Sequence, residues 1–381
     1  MREKNLSLPA GFWYNMDTKG ESQISKGESL MKKLFALLIA AVMLLGVAAA
    51  LADGYEVALV TDVGNIDDHS FNQAAWEGVK AYAEENGKTY AYYRPSEDST
   101  QARIEQIKAA VEKGAKVIVL PGYLFEEAVT QMQFEFPDVI FIALDTSPTA
   151  GEGSPAANTY SILYKEEQAG YFAGYAIVKD GYTKLGFLGG MAVPAVIRYG
   201  YGFVQGAEAA AKEMGVAVDM KYWYCDSFAP SDSIKTKMDS WYADGTEVVF
   251  SCGGGIYLSA LAAADAAGGT VIGVDVDQSY ESDLIITSAM KGLKASVVLS
   301  LGKIYDNGGA LPEDMAGAVA SLGAAEDAAG LPTDEHAWRF DEFTVEEYET
   351  VFNAVKDGTI EISAAIDAAP ATEAVTVDYQ N

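Results

Sequence analysis

Residues 55–76 read YEVALVTDVGNIDDHSFNQAAW, and this stretch decides the fold. An apolar, β-branched run at 57–60 predicts a buried parallel strand, and a helix is predicted from about Ser70 to Ala83. Ligands of open α/β sheets bind at the carboxyl ends of strands, near helix N-termini with unpaired N–H groups. Polar groups and one aromatic ring gather there, a mixture that suits a flat, neutral, hydrogen-bonding ligand better than a phosphate. The residues that supply these polar groups and the ring are Asp62, Asn65, Asp67, Asp68, Ser70, Phe71, Asn72 and Gln73.

Strands and helices continue to alternate through the first half of the chain. Further strands are predicted at 88–93, 117–120 and 139–144, with helices between them. This alternation predicts right-handed crossovers and a parallel sheet. Asp145 directly follows the last of these strands, so its carboxylate is expected at the ligand-binding edge of the sheet.

The pattern then restarts after a Gly-, Pro- and Ser-rich loop at 146–157. A second α/β unit of similar strand count is predicted, and its last strand ends at Asp275. Gly253 opens a Gly-Gly-Gly run before a helix, where we expect either close backbone approach at a cleft or an ordinary turn. Two α/β lobes joined by more than one crossing predict a hinged clamp that holds its ligand between the lobes.

The expected domain organisation has six parts. They are a leader at 1–52, a first lobe at 53–158, a second lobe at 159–278, a return to the first lobe at 279–310, a return to the second lobe at 311–362, and a flexible tail at 363–381.

The leader has the pattern of an export signal. Met31 is an alternative start and is followed by two lysines, an apolar run at 34–45 and an Ala-Leu-Ala cleavage site at 50–52. The formal charge of −29 argues against nucleic acid and anionic membrane surfaces as partners. Cys225 and Cys252 each lie beside a predicted strand, and either one disulfide or two buried thiols fits this placement.

The sequence motifs give little support for a catalytic site or a metal site. Asp68-His69-Ser70 has the letters of a hydrolase triad, but consecutive residues cannot present their side chains in the relay geometry. His336 is the other histidine of the chain, and no Cys/His cluster is present. The glycines from Gly253 lack the G-K-[ST] ending of a phosphate loop. We therefore expect no enzyme activity, no metal and no cofactor.

Several motifs carry a resemblance to a known family. The sequence DHSFNQ at 68–73, followed by WEG at 76–78, resembles the signature of the Bmp-type (basic membrane protein) substrate-binding proteins of ABC importers, the family of the purine nucleoside receptor lipoproteins. The similarity covers roughly 55–362. Its further motifs are GFLGG at 186–190, Tyr199 before Gly202-Phe203, IGVD at 272–275, Asp277-Gln278, Ser288 with Lys291, and KDGTI at 356–360.

The resemblance implies a type I periplasmic-binding-protein fold with two lobes and three hinge crossings. It also implies capture of a purine nucleoside for delivery to a membrane permease, by a protein that we expect to be monomeric. An aromatic ring from each lobe would sandwich the base, an Asn would read its edge, and carboxylates would bind the ribose. The ligand-binding residues so predicted are Asp68, Ser70, Phe71, Asn72, Asp145, Tyr199, Gly253, Asp275 and Lys291, with Trp223, Phe228 and Tyr257 as alternative second-lobe rings.

The chain departs from the family pattern in three ways. His69 stands where Lys is usual, no cysteine follows the predicted signal to carry a lipid anchor, and the protein is acidic rather than basic. We expect an exported protein at the outer face of the cytoplasmic membrane. The alternatives are a sugar or autoinducer receptor on the same fold, or a sensory or adhesive surface protein.

Overall fold

The computed structural model describes residues 54–148 and 155–380, so the predicted leader lies outside the described residues. Two sheets, each flanked by helices, form two lobes. No helix within the described ranges is both long and apolar enough to cross a membrane.

The first sheet has six strands, all parallel to their neighbours. The first strand, VALV, is buried along its whole length because helices cover both faces of the sheet. In the order in which they lie side by side, the strands are β11 (Val319–Leu322), β5 (Thr159–Tyr164), β4 (Ile140–Leu144), β3 (Val117–Pro121), β1 (Val57–Val60) and β2 (Tyr90–Tyr93). The helices of this lobe are α1 (Phe71–Glu85), α2 (Thr100–Glu112), α3 (Glu126–Glu135) and α8 (Leu293–Asp306).

The second sheet has seven strands, and only its β10–β12 pairing is antiparallel within the described part of the chain. Its strands lie in the order β12 (Ala329–Gly330), β10 (Ile285–Lys291), β9 (Thr270–Asp275), β8 (Val248–Cys252), β6 (Lys184–Gly189), β7 (Val218–Tyr224) and β13 (Val375–Tyr379). The helices are α4 (Glu166–Lys179), α5 (Pro194–Met214), α6 (Asp232–Ala243), α7 (Tyr257–Ala267) and α9 (Val345–Lys356). Because β10-β9-β8-β6-β7 repeats the order β5-β4-β3-β1-β2, the lobes share one topology. The predicted two-lobed type I periplasmic-binding-protein fold is confirmed.

Small residues let helices α4 and α5 pack at backbone contact. A Cβ added at Gly170 would lie 2.1 Å from the Tyr199 carbonyl oxygen, and one added at Gly206 would lie 2.0 Å from the Tyr171 carbonyl oxygen. Only glycine permits this approach. The contact fixes α5 against α4 and thereby places Tyr199 at the inner edge of the second lobe.

The chain crosses between the lobes three times, but not at the predicted positions. Residues 159–164 form β5 and pair with β4, so the first crossing follows Tyr164 rather than Asn158. Residues 285–291 pair with β9, so the chain returns to the first lobe at Gly292. The third crossing lies between β11, which pairs with β5, and β12. Turn-rich segments led to the wrong boundaries because a loop that precedes an edge strand has the same composition as a hinge.

The prediction of a flexible tail is also wrong. Residues 375–379 form β13, which pairs in parallel with β7. The Glu208 carboxylate accepts backbone N–H bonds from Glu373, Ala374 and Val375 at 2.8–3.2 Å. These bonds fix the start of the strand, and their partner is 165 residues or more distant in the sequence, where no local pattern reveals it.

Candidate functional site

A cleft between the lobes contains about 690 Å³ of space that no protein atom fills, including the part that is open to solvent. It lies at the carboxyl ends of the strands of both sheets, as expected for open α/β sheets. Eight of the nine predicted ligand-binding residues line it, and Ser70 lies beside it, bonded to Asp275. The lining residues from the two lobes are Asp62, Gly64, Asp68, Phe71, Asn72, Gly122, Tyr123, Leu124, Asp145, Val193, Ala195, Val196, Tyr199, Phe228, Cys252, Gly253, Gly254, Gly255, Val274, Asp275 and Lys291.

The first-lobe wall is built around the N-terminus of α1. Asp68 accepts backbone N–H bonds from Ser70, Asn72 and Gln73 at 2.9–3.0 Å, which satisfies the unpaired donors of this helix end. The Asn72 side-chain amide donates to Asp62 Oδ1 and to Asp68 Oδ2, each at 3.0 Å. Both amide hydrogens of Asn72 are therefore used inside the lobe, and Asn72 orients the Asp62 carboxylate at the cleft.

Burial raises the pKa of Asp62, and hydrogen bonds from Gly64 and Asn72 only partly offset this effect. Asp62 Oδ2 lies next to Gly122, where an added Cβ would come within 3.3 Å of that oxygen. Asp62 was among the polar residues expected at this edge but not among the nine predicted ligand-binding residues, and Gly122 was not predicted. Gly122 could have been predicted from its position directly after β3, because Gly253 has the corresponding position after β8.

Corresponding strand ends in the two lobes adopt corresponding backbone conformations. Gly122 and Gly253 have φ values of 118° and 154°. Asp145 and Asp275, at the ends of β4 and β9, have φ values of 57° and 67°, which are uncommon for residues with a side chain. In this conformation the chain turns sharply at the sheet edge, and both carboxylates reach the cleft.

A buried cluster of charges lies on the cleft floor. The Lys291 ammonium is 2.6 Å from Asp145 Oδ2, 3.2 Å from Glu166 Oε1 and 3.9 Å from Asp275 Oδ1. The Arg198 guanidinium is 2.6 Å from Glu166 Oε2. Neither Glu166 nor Arg198 was predicted, because nothing in the local sequence links them to Lys291.

The cluster shifts the pKa of each of its members. Burial would lower the pKa of Lys291, but the charges of Asp145, Glu166 and Asp275 raise it. Burial raises the pKa of Asp145 to about 7, and the charge of Glu166 adds to this effect, although Lys291 acts in the opposite direction. Burial also raises the pKa of Asp275. For Glu166, burial is outweighed by Lys291 and Arg198, which lower its pKa.

Aromatic rings from both lobes surround the cluster. The ring centroids of Phe71, Tyr164 and Tyr199 lie 5.0, 5.3 and 5.3 Å from Lys291 Nζ. Tyr199 is only 2% exposed and packs edge-on against Phe250. Its hydroxyl is 3.5 Å from Asp275 Oδ1. Tyr199 therefore belongs to the floor of the cleft rather than to an open wall.

Phe228, in the loop after β7, supplies a more open ring. It is partly exposed, and its ring lies against the backbone of Gly190 and Gly253. A Cβ at Gly190 would come within 2.5 Å of that ring. The other candidate rings, Trp223 and Tyr257, pack into the core around α6 and α7 and do not line the cleft.

The two cysteines are unpaired thiols, so the disulfide alternative is wrong. Cys252 is buried on the cleft floor and Cys225 is partly buried. Burial raises the pKa of Cys225 to about 11 and also raises that of Cys252.

Comparison with known proteins agrees with this geometry. Residues 55–364 match the profile of the family described as "ABC transporter substrate-binding protein PnrA-like". The chain belongs to this family. Proteins of the family bind a small molecule outside the cytoplasm and present it to a membrane permease. The predicted resemblance to Bmp-type proteins is confirmed.

Two relatives agree with this assignment, and one solved structure agrees with the fold. The ABC transporter nucleoside-binding protein BmpA of Lactococcus lactis is 27% identical over 269 residues, which span 65% of this chain and 74% of that protein. Basic membrane protein A1 of Borrelia garinii is 30% identical over 246 residues, 64% of this chain and 70% of that protein. A solute-binding protein structure from Aeropyrum pernix K1 superposes with a TM-score of 0.70 at 22% identity, covering 82% of this chain and 94% of that one, which supports the fold alone.

Proposed function

We propose that this protein captures a purine nucleoside between its lobes and delivers it to an ABC permease, without chemical change to the ligand. The observation that carries the proposal is the composition of the cleft. Phe71 and Phe228 approach it from opposite lobes, with buried carboxylates around them. The name of the Lactococcus lactis relative, a nucleoside-binding protein, points to the same ligand class.

The rings are assigned to the base. Stacked or edge-to-face aromatic contacts contribute about 0.5–1.5 kcal/mol beyond the burial of area. We assign Phe71 and Phe228 as the two stacking rings, because Tyr199 is packed into the second-lobe core. Asp62, held by Asn72, would accept a hydrogen bond from an N–H group on the edge of the base.

The strand-end carboxylates are assigned to hydrogen-bond donors of the ligand. Asp145 Oδ1 is buried and has no hydrogen-bond partner among the described residues. Asp275 also lines the cleft, and within the described part of the chain its Oδ1 has only a long hydrogen bond from the Tyr199 hydroxyl at 3.5 Å and the Lys291 ammonium at 3.9 Å. A site built to pair with hydroxyl groups rejects analogues that lack them, because its buried polar groups would then stay unpaired.

The charge of the cleft favours a neutral ligand. Lys291 is already compensated by three carboxylates within 4 Å, and Asp62 and Asp68 add further negative charge. A nucleoside monophosphate would bring its own negative charge into this surrounding. We therefore expect nucleosides to bind and the corresponding nucleotides to bind much more weakly.

A ligand screen of the purified protein tests the proposal. Isothermal titration and thermal denaturation would be run with inosine, guanosine and adenosine, and with free bases, pentoses and nucleoside monophosphates. A ligand at a hundred times its Kd stabilises the folded state by about 2.7 kcal/mol, a shift that is easily measured. Chromatography after incubation should return the nucleoside unchanged.

Other outcomes would overturn the assignment. A response to a pentose with none to any nucleoside would identify a sugar receptor on the same fold. Release of free base from inosine would show that the cleft is an active site. Size-exclusion chromatography on the same sample tests the expected monomer.

A further inference from the structure

Ser70 occupies a helix N-cap position but does not cap its helix. Its hydroxyl makes no bond to the backbone of α1, because Asp68 takes the N–H groups there. Instead, Ser70 Oγ donates to Asp275 Oδ2 of the opposite lobe at 2.6 Å. Ser70 is fully buried and Asp275 is 6% exposed, so water does not compete for this bond. A hydrogen bond to a carboxylate in such a place is among the stronger ones.

Two further contacts cross between the lobes beside this bond. The Gln278 amide donates to the His69 carbonyl at 2.8 Å. His69 Nδ1 lies 2.8 Å from Glu281 Oε1. His69 has a φ of 51°, which turns its backbone away from the helical path just before α1 begins. We call residues 69–70 with Asp275, Gln278 and Glu281 the interlobe clasp.

The second-lobe half of the clasp is held in place by its own lobe. Gln278 Oε1 accepts the Val274 N–H at 2.9 Å, and the Gln278 N–H donates to Ser288 Oγ at 3.0 Å. The side-chain oxygen is thus occupied and the amide nitrogen points to the other lobe. Because its donor is fixed in advance, little side-chain freedom is lost when the clasp forms.

The clasp acts on the ligand through Asp275. One carboxylate oxygen of this cleft-lining residue is bound by Ser70, and among the described residues the other has only long contacts, 3.5 Å to the Tyr199 hydroxyl and 3.9 Å to Lys291. We infer that Ser70 is a positioning residue. Its hydroxyl, supplied only when the lobes are closed, orients Asp275 for a hydroxyl group of the ligand and couples ligand affinity to closure. This inference rests on the proposed function for the ligand class, but the clasp itself does not.

The first experiment measures closure without any nucleoside. Small-angle scattering of the purified wild-type protein would be compared with that of Ser70→Ala and Glu281→Ala. Each variant removes one clasp contact and leaves the residues that line the cleft unchanged. We expect a larger radius of gyration for both variants. Glu281 lies at the surface, with a side chain that is 29% exposed, so this variant keeps the test open if Ser70→Ala does not fold.

Ser99→Ala is the matched control. Ser99 is also a first-lobe N-cap serine, but its hydroxyl accepts the Ala102 N–H of its own helix. Its loss should lower the melting temperature and leave the radius of gyration unchanged. Equal radii for wild type, Ser70→Ala and Glu281→Ala would overturn the clasp, whatever the ligand proves to be.

The second experiment tests the positioning role. Affinities for inosine and for its 2′- and 3′-deoxy analogues would be measured with wild type and Ser70→Ala. We expect inosine to bind about tenfold more weakly to the variant, as for the loss of one charged hydrogen bond. Wild type is expected to bind one of the two deoxy analogues most weakly. The ratio of the affinity for inosine to the affinity for that analogue should be smaller in Ser70→Ala than in wild type. An unchanged affinity ratio would show that Ser70 is merely structural. If wild type binds no nucleoside, the proposed function is refuted, but the scattering result still tests the clasp.

Discussion

Asp145 and Asp275 occupy equivalent places in the two lobes but are held by different means. Both end the strand next to the central one and both have left-handed backbones. Asp145 is bound by a cation, the Lys291 ammonium at 2.6 Å. Asp275 is bound by a neutral donor, the Ser70 hydroxyl, at the same distance.

In both cases the holding group belongs to the opposite lobe. Lys291 ends β10 of the second sheet, and Ser70 precedes α1 of the first. Each carboxylate therefore depends on the relative position of the lobes. The difference lies in the cost of separation. Parting Lys291 from Asp145 would leave charges unpaired in a buried place, whereas parting Ser70 from Asp275 breaks one hydrogen bond. Separation of the lobes is therefore expected to cost more free energy at the Lys291–Asp145 pair than at the Ser70–Asp275 bond.

Removal of the Lys291 charge should have the largest effect. Lys291→Met keeps most of the side-chain volume but leaves Asp145, Glu166 and Asp275 without their shared cation. Loss of one partner from a buried ion pair costs about 3–5 kcal/mol. We expect the urea midpoint to fall by a corresponding amount with an unchanged m-value.

Lys294→Met is the control for this variant. Lys294 is 55% exposed and pairs with Glu77 at the surface, so we expect its loss to cost less than 1 kcal/mol. Adding Asp145→Asn to Lys291→Met should recover part of the lost stability. A Lys291→Met protein as stable as wild type would contradict the large cost that we assign to loss of the charged partner.

The second test compares the rings of the two lobes. Phe71→Ala and Phe228→Ala should each weaken nucleoside binding by about 1–2 kcal/mol, or roughly 5- to 30-fold, because each removes one face of the stack. Titration calorimetry measures the effect. Phe134→Ala, at a ring that is 61% exposed and outside the cleft, is the control. Full affinity in Phe228→Ala together with a large loss in Tyr199→Ala would restore Tyr199 as the second ring.

The local sequence pattern was sufficient to predict which residues at strand ends or at the start of a helix would reach the cleft. Phe71, Asp145 and Asp275 are all placed by local pattern, since the carboxyl ends of parallel strands meet at one edge. The same pattern identified the two lobes. It could not separate Tyr199 from Phe228, because the choice depends on how closely α5 packs on α4.

The remaining errors concern long-range pairing. Glu166, Arg198 and Lys291 come together from three distant segments, and no short-range spacing relates them. The lobe boundaries failed for a similar reason. Strands β5 and β11 complete the first sheet at its edge, and only their pairing partners reveal to which lobe they belong.

The smallest expected effect is on the pH dependence of the free energy of unfolding. It distinguishes the contribution of Asp145 from that of Glu167. Burial raises the pKa of each to about 7, from ordinary values of 3.8 and 4.5. Between those ordinary values and pH 7 the folded protein holds protons that the unfolded chain has released. The free energy of unfolding should therefore fall as pH rises through this interval and level off above it. Glu166 and Glu208, whose pKa is lowered, lose their contribution only towards more acidic pH.

Urea unfolding across the same interval measures this slope. Glu167→Gln should make the decline shallower, because glutamine holds no proton that the unfolded chain releases in this pH interval. Glu97→Gln, at an exposed first-lobe side chain, should leave the slope unchanged. If Asp145→Asn flattens the dependence of the unfolding free energy on pH and Glu167→Gln does not, Asp145 is the group that holds the additional proton in the folded state. Lys291 then compensates the Asp145 carboxylate only in part. The reverse result would mean that Lys291 fully compensates the charge of Asp145. Asp145, bound by an ammonium group, would then differ from Asp275, bound by a hydroxyl group, even more than the distances indicate.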